Sequence, residues 1–248
     1  MGYCSKELIN QVLEESWVQS KYSQLQLEPN FQYELPIARP SKIIGLGRNY
    51  KAHAKELDHD VPEEPLFFAK APSSLIPHEA DIVIPSWLDG RVDHEAELAV
   101  IIGKTAKNVR EEEAASFIAG YSILNDVTAR AMQKEDQNLN MPWFRSKSID
   151  TFCPFGPYIV PADAIQNPHA LEIVLTVNGK QKQRAKTSSM IFQITEVIAH
   201  LSRFMTLHPG DIIATGTPAG VSPIADGDVV EISITHLGTL RNRVVKQT

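Results

Sequence analysis

The stretch Asp93-His94-Glu95-Ala96-Glu97-Leu98-Ala99-Val100-Ile101-Ile102-Gly103 joins a cluster of acids to an apolar run. As a strand it sends Ala96, Leu98, Val100 and Ile102 to one face and Asp93, Glu95 and Glu97 to the other. Carboxylates side by side in a partly buried site repel, and protonation or a cation is what makes the arrangement cheap. A solvated edge strand with its acids in water is the competing reading. The odd-numbered face turns apolar at Ala99, Ile101 and Gly103, which points instead to a hard-metal site at the start of a buried strand.

Other residues could join such a site. Asp126 closes the apolar run Tyr121 to Asn125, where it is either a third oxygen ligand or the cap of the segment that follows. His53 and Glu56 stand i, i+3 on a short helix over 49–57, so the carboxylate could orient the imidazole and raise its basicity, or the two could be an incidental surface pair. Arg130 and Gln133 share the same spacing on a helix from Thr128 to Gln137, and Lys147 lies between serines in a loop. Gly45-Leu46-Gly47-Arg48-Asn49-Tyr50 begins like a dinucleotide-binding loop, but Tyr50 occupies the place of the third glycine and excludes that reading.

The elements that must position these residues are short. Strands are predicted over 42–46, 66–69, 81–84, 171–177, 211–214, 228–234 and 240–245, with a hairpin turn at Asn178-Gly179. Helices are predicted over 5–20, 110–118 and 189–204, and the segment broken by Pro154, Gly156 and Pro157 carries no element. Many strands and few helices indicate a β-rich α+β fold. The prolines between Glu28 and Pro40 place a boundary near residue 40, leaving 1–40 as a short helix and linker and 41–248 as the main domain.

At 248 residues and 43% hydrophobic, the chain can bury a large core. A net charge of -6 without a basic run argues against nucleic-acid or anionic-membrane surfaces and favours small-molecule partners. Two cysteines, Cys4 and Cys153, are too few for a disulfide framework and lack zinc-site spacing, so a reducing, cytoplasmic setting is expected.

Five separated motifs then fall into one pattern: Gly47-Arg48-Asn49-Tyr50-x-x-His53-x-x-Glu56, His94-Glu95-x-Glu97-Leu98, Asp126-x-Thr128-Ala129-Arg130-x-x-Gln133, Lys147-Ser148 and Thr215-Gly216-Thr217-Pro218. In order and spacing the chain resembles the fumarylacetoacetate hydrolase family over about residues 36–245. The resemblance is to the acylpyruvase and oxaloacetate decarboxylase branch and to the fumarylpyruvate hydrolases and isomerase/decarboxylases of aromatic catabolism. It implies a mixed-sheet β-roll, usually a homodimer, with Glu95, Glu97 and Asp126 as ligands of Mg²⁺ or Mn²⁺. It further implies Lys147 as an active-site cation, and His53 with Glu56 as a water-activating dyad on a mobile lid. Arg48, Arg130, Gln133, Gly216 and Thr217 are implied to hold a small 2-oxo acid. The implied activity is hydrolysis of the C–C bond of acylpyruvates through a stabilised pyruvate enolate. Decarboxylation or tautomerisation of oxaloacetate or a related 2-oxo acid is the first alternative, and a non-catalytic metal-binding dimer the second.

Overall fold

The computed structural model describes residues 32–52 and 62–248. The helix expected over 5–20 and the His53–Glu56 pair lie outside these residues. Among the described residues, fourteen strands run in chain order as β1 (Ile43–Gly47), β2 (Leu66–Lys70), β3 (Leu75–Ile76), β4 (Ile82–Ile84), β5 (Val92–Asp93), β6 (Ala96–Ile102) and β7 (Ile118–Asn125). They continue as β8 (Thr128–Ala129), β9 (Cys153–Pro161), β10 (Glu172–Val177), β11 (Lys180–Lys186), β12 (Ile212–Ala214), β13 (Val229–Ile234) and β14 (Gly238–Lys246). Among the described residues the α-helices are α1 (Glu111–Ala114), α2 (Arg130–Asn138), α3 (Phe144–Lys147) and α4 (Ile194–Phe204).

A seven-stranded mixed sheet has the order β2-β1-β12-β6-β7-β9-β3, and a five-stranded sheet the order β11-β10-β13-β14-β4; β5 and β8 make a separate antiparallel pair. This is the strand-rich α+β architecture expected from the sequence. Strand β6 lies at the centre of the larger sheet and is buried on both faces, as its near-continuous apolar sequence requires. Ala96, Leu98, Val100 and Ile102 enter the larger core cluster with Ile173, Leu175 and Ile232 of the second sheet. Ala99 and Ile101 face the opposite side, with Ile43, Leu124, Phe155 and Ile212.

Three local expectations are corrected. The acidic stretch is not one strand: Val92 and Asp93 pair with Ala129 and Thr128, and pairing resumes only at Ala96 opposite Asn125. The proline-rich segment 153–161 is a nine-residue strand. Its pairing with β7 shifts register between Tyr121 and Ile123, so Pro157 sits where no ladder bond is required, and the Ser122 hydroxyl spans the gap by donating to Tyr158 O at 2.7 Å. Lys147 is not on a loop; it ends α3 and is 2% exposed. Among the described residues, no helix is long and apolar enough to cross a membrane.

Candidate metal and substrate site

The site forms where the acidic strand is interrupted at His94 and Glu95, opposite Asp126 and Val127. The register is the same on both sides of the gap, so Glu95 stands opposite Asp126, and the two are tied together: Asp126 N donates to Glu95 O at 2.9 Å, and Glu95 N to Asn125 Oδ1 at 2.9 Å. Cross-strand opposition and the two-residue period then bring Glu95, Glu97 and Asp126, all buried, together, with one oxygen each within 4.8 Å of one another. Asp126 caps no helix, because β8 intervenes and α2 begins at Arg130.

Cations surround the acids. Lys147 Nζ lies 2.8 Å from Glu95 Oε2 and 2.5 Å from Asp126 Oδ2. Lys70, fully buried at the end of β2, reaches Asp126 Oδ1 at 2.8 Å and also donates to the backbone carbonyl of Lys147. Arg130 bonds Asp93 Oδ2 at 2.7 Å, Gln133 Oε1 at 2.6 Å and the Glu95 carboxylate. Asp93 also pairs with Arg91 at 2.5 Å, so the first acid of the stretch is spent on arginines and stands outside the cluster.

These contacts leave Glu97 the poorest in positive charge. Burial, then the neighbouring Asp126 and Glu95, push its carboxyl well above the ordinary range; its one charge-assisted partner in the loop is Gly216 N, donating to Oε2 at 2.7 Å. Burial pulls Lys147 down, but Asp126 and Glu95 outweigh it, so the group is held above its usual value as an ammonium. Its Nζ sits 5.0 Å over the Phe68 ring. Three carboxylates, one of them without a cation of its own to favour its charged form, and with no sulfur or imidazole among them, fit a hard divalent ion such as Mg²⁺ or Mn²⁺.

A small cleft opens beside this cluster, at Glu95 and Lys147. Its lining brings together Arg48, Glu95, Arg130, Gln133, Lys147 and Thr217 with an apolar wall of Leu46, Phe68 and Trp143. Arg48 is held with φ 58°, a conformation uncommon outside glycine. Behind it the buried Asn49 fixes the turn, donating to Thr215 O at 2.8 Å and accepting from Phe192 N at 2.8 Å. Gly216 follows Thr215 with φ 93°, and a Cβ there would stand 2.8 Å from Asn49 Cβ, so the loop and the Arg48 turn interlock only because this residue is glycine.

Lys70 and Gln183 join the site without having been singled out from the sequence. A lysine that ends the apolar run Leu66 to Ala69 is a faint signal for Lys70; Gln183, inside Lys180-Gln-Lys-Gln-Arg, offers none. His94 turns away from the acids, with Nδ1 3.1 Å from Gln183 Oε1 and Nε2 2.8 Å from Ser222 Oγ. Burial lowers it to about 4, against the opposing pull of the Gln183 contact, so it is neutral. Cys153 is no nucleophile: burial raises its thiol to about 12.

The fumarylacetoacetate (FAA) hydrolase C-terminal family matches residues 42–245. An uncharacterized protein of Pyrococcus abyssi is 51% identical over 209 residues, 84% of this chain and 92% of that protein. The oxaloacetate tautomerase YisK of Bacillus subtilis is 42% identical over 219 residues, 84% of this chain and 71% of that enzyme. The crystal structure of fumarylpyruvate hydrolase from Pseudomonas aeruginosa, in complex with Mn²⁺ and pyruvate, is similar with a TM-score of 0.80 at 31% identity, over 90% of this chain and 100% of that one. The chain belongs to the fumarylacetoacetate hydrolase family.

Proposed function

We propose that the protein is a metal-dependent enzyme acting at C3 of a small 2-oxo acid, with keto–enol tautomerisation of oxaloacetate as its reaction. The observation that carries this reading is the convergence of Glu95, Glu97 and Asp126 with the Lys147 ammonium, beside a cleft that Glu95 and Lys147 line. A divalent ion on the three carboxylates would supply Lewis-acid stabilisation of enolate charge.

The side chains account for the rest. Lys147, kept protonated by Asp126 and Glu95, presents a fixed positive charge where the enolate oxygen develops its own. In the enol-to-ketone direction its proton passes to C3, and the proton leaving the enol hydroxyl restores the ammonium. Arg48 and Gln133 hold the carboxylates; the Gln133 carbonyl is already engaged by Arg130, which leaves its NH₂ as the binding group. Arg130 spends three nitrogens on Asp93, Gln133 and Glu95, and so acts mainly by holding Glu95 and Gln133 in place. The Phe68 and Trp143 wall keeps bulk water from the reacting carbon.

Hydrolysis of acylpyruvates is the second reading, favoured by the spacing of His53 and Glu56 and by the Mn²⁺ and pyruvate in the similar fumarylpyruvate hydrolase. It needs a base to activate water, and the candidate for that role, His53, lies outside the described residues. The two readings separate on one preparation assayed with enol oxaloacetate, ketone oxaloacetate and a panel of acylpyruvates, with Mg²⁺ or Mn²⁺ and after chelation. Tautomerase activity that depends on the metal and survives His53→Ala supports the first. Acylpyruvate cleavage that His53→Ala cuts by about 10²-fold or more, with no tautomerase activity, replaces it with the second.

A further inference from the structure

Strand β11 is exposed and rich in lysine except at Gln183, which is 0% exposed. A bulge between Leu175 and Thr176 in its pairing with β10 skips Lys182, and such a bulge re-aims the neighbouring side chain. Gly220 presses against this point: a Cβ there would lie 2.1 Å from Lys182 O. The loop after β12 therefore rests on the second sheet at Gln183.

The orientation of the Gln183 amide follows from partners that have only one role. Ala96 N can only donate, and it gives its hydrogen to Oε1 at 3.0 Å; Pro218 O can only accept, and it takes one from Nε2 at 2.7 Å. The second Nε2 hydrogen goes to Thr217 Oγ1 at 2.8 Å, so the Thr217 hydroxyl must give its own hydrogen to Ala96 O at 3.0 Å. The other Oε1 lone pair faces His94 Nδ1, which places the imidazole hydrogen there. All four capacities of the amide are used, and a closed ring links Ala96, Gln183 and Thr217.

We propose that Gln183 is a positioning residue of the site: acting through Thr217 and Ala96, it sets the Thr215–Gly220 loop against β6, so that Gly216 N meets Glu97 and the three carboxylates converge. Thr217 serves as the strut of this lock. The role rests on the function proposed above only where Mn²⁺ binding is measured.

Two readouts test it on the full-length protein. In Gln183→Met, which keeps the length and loses every hydrogen bond, hydrogen exchange at the amides of Thr215, Gly216 and Thr217 should speed up roughly 10-fold, with Val100 and Tyr121 in the sheet unchanged. The dissociation constant for Mn²⁺ should rise on the order of 10-fold, the usual effect of an outer hydrogen-bonding partner. Thr217→Val should do the same, and the double variant should be no worse than the poorer single, because each breaks the same ring. Gln183→Glu, which keeps the acceptor for Ala96 and loses both donors, carries the same expectations if Gln183→Met does not fold. Unchanged loop exchange and Mn²⁺ affinity in a folded Gln183 variant, or additive losses in the double variant, would overturn the role. Wild-type protein that fails to bind Mn²⁺ would remove the proposed function and leave the exchange result to decide on the lock.

Discussion

Lys70 and Lys147 grip opposite oxygens of one buried carboxylate, with Lys70 Nζ 2.8 Å from Asp126 Oδ1 and Lys147 Nζ 2.5 Å from Oδ2. Lys70 also donates to the backbone of Lys147, so the strand-end lysine fixes both the acid and the end of the helix that carries the second cation. Strand β2 and helix α3 are thereby joined beside the cleft.

Lys70→Met leaves Asp126 Oδ1 buried without its cation. Removing one partner of a buried ion pair costs about 3 kcal/mol or more. In a domain of this size that corresponds to a drop of roughly 6–12 °C in Tm. Thermal unfolding of the purified variant measures it, and a Tm within 2 °C or so of wild type would mean that Lys147 alone compensates Asp126.

Glu97 titrates with a sign that metal should reverse. Its folded value lies above the unfolded one, so the folded chain binds this proton more tightly. In metal-free protein the resulting stability is present at and below the ordinary carboxylate range and is lost as pH rises through the raised value. Glu97→Gln should therefore unfold at a higher temperature than metal-free wild type at pH 8, while binding Mn²⁺ at least ~10²-fold more weakly, beyond the usual effect of an outer partner. A variant with wild-type Mn²⁺ affinity would take Glu97 out of the ligand set.

Lys147→Ala should lower turnover by about 10²-fold or more on whichever 2-oxo acid the protein prefers, because tautomerisation, decarboxylation and hydrolysis all build enolate charge beside this group. Steady-state kinetics on the variant, with Mn²⁺ affinity as a check that the acids still converge, decides it. Near wild-type turnover would reduce Lys147 to a structural counter-ion of Asp126.

His94 supplies a different pH dependence. Its folded value of about 4 lies below the unfolded 6.5, so stability is complete above pH 6.5 and is lost as pH falls toward 4. The difference corresponds to roughly 3 kcal/mol. The Tm difference between wild type and His94→Gln should change across this window and be constant above it. A parallel pair of Tm curves from pH 4 to 7 would mean that the imidazole protonates without disturbing its contacts with Gln183 and Ser222.

The sequence by itself determined the class of fold, the buried central strand and the chemical identity of the cluster. Alternation in Ala96–Ile102 was enough to place Glu97 on the same face as Ala99 and Ile101, and the spacing of five motifs was enough to identify the family. Tertiary structure decided what local pattern does not encode. Pairing keeps one register across the gap at His94 and Glu95, so Glu95 stays opposite Asp126, and what sets Asp93 apart from the cluster is its pairing with Arg91 and Arg130. The prolines of β9 concealed a strand because the register shift that tolerates Pro157 belongs to the pairing with β7. Local pattern offered Lys147 only as a loop lysine between serines, its active-site role coming from the family resemblance, and did not single out Gln183, since burial of a polar side chain depends on partners distant in the chain. For Lys147 these are Glu95 and Asp126, and for Gln183 they are Ala96, Thr217 and Pro218.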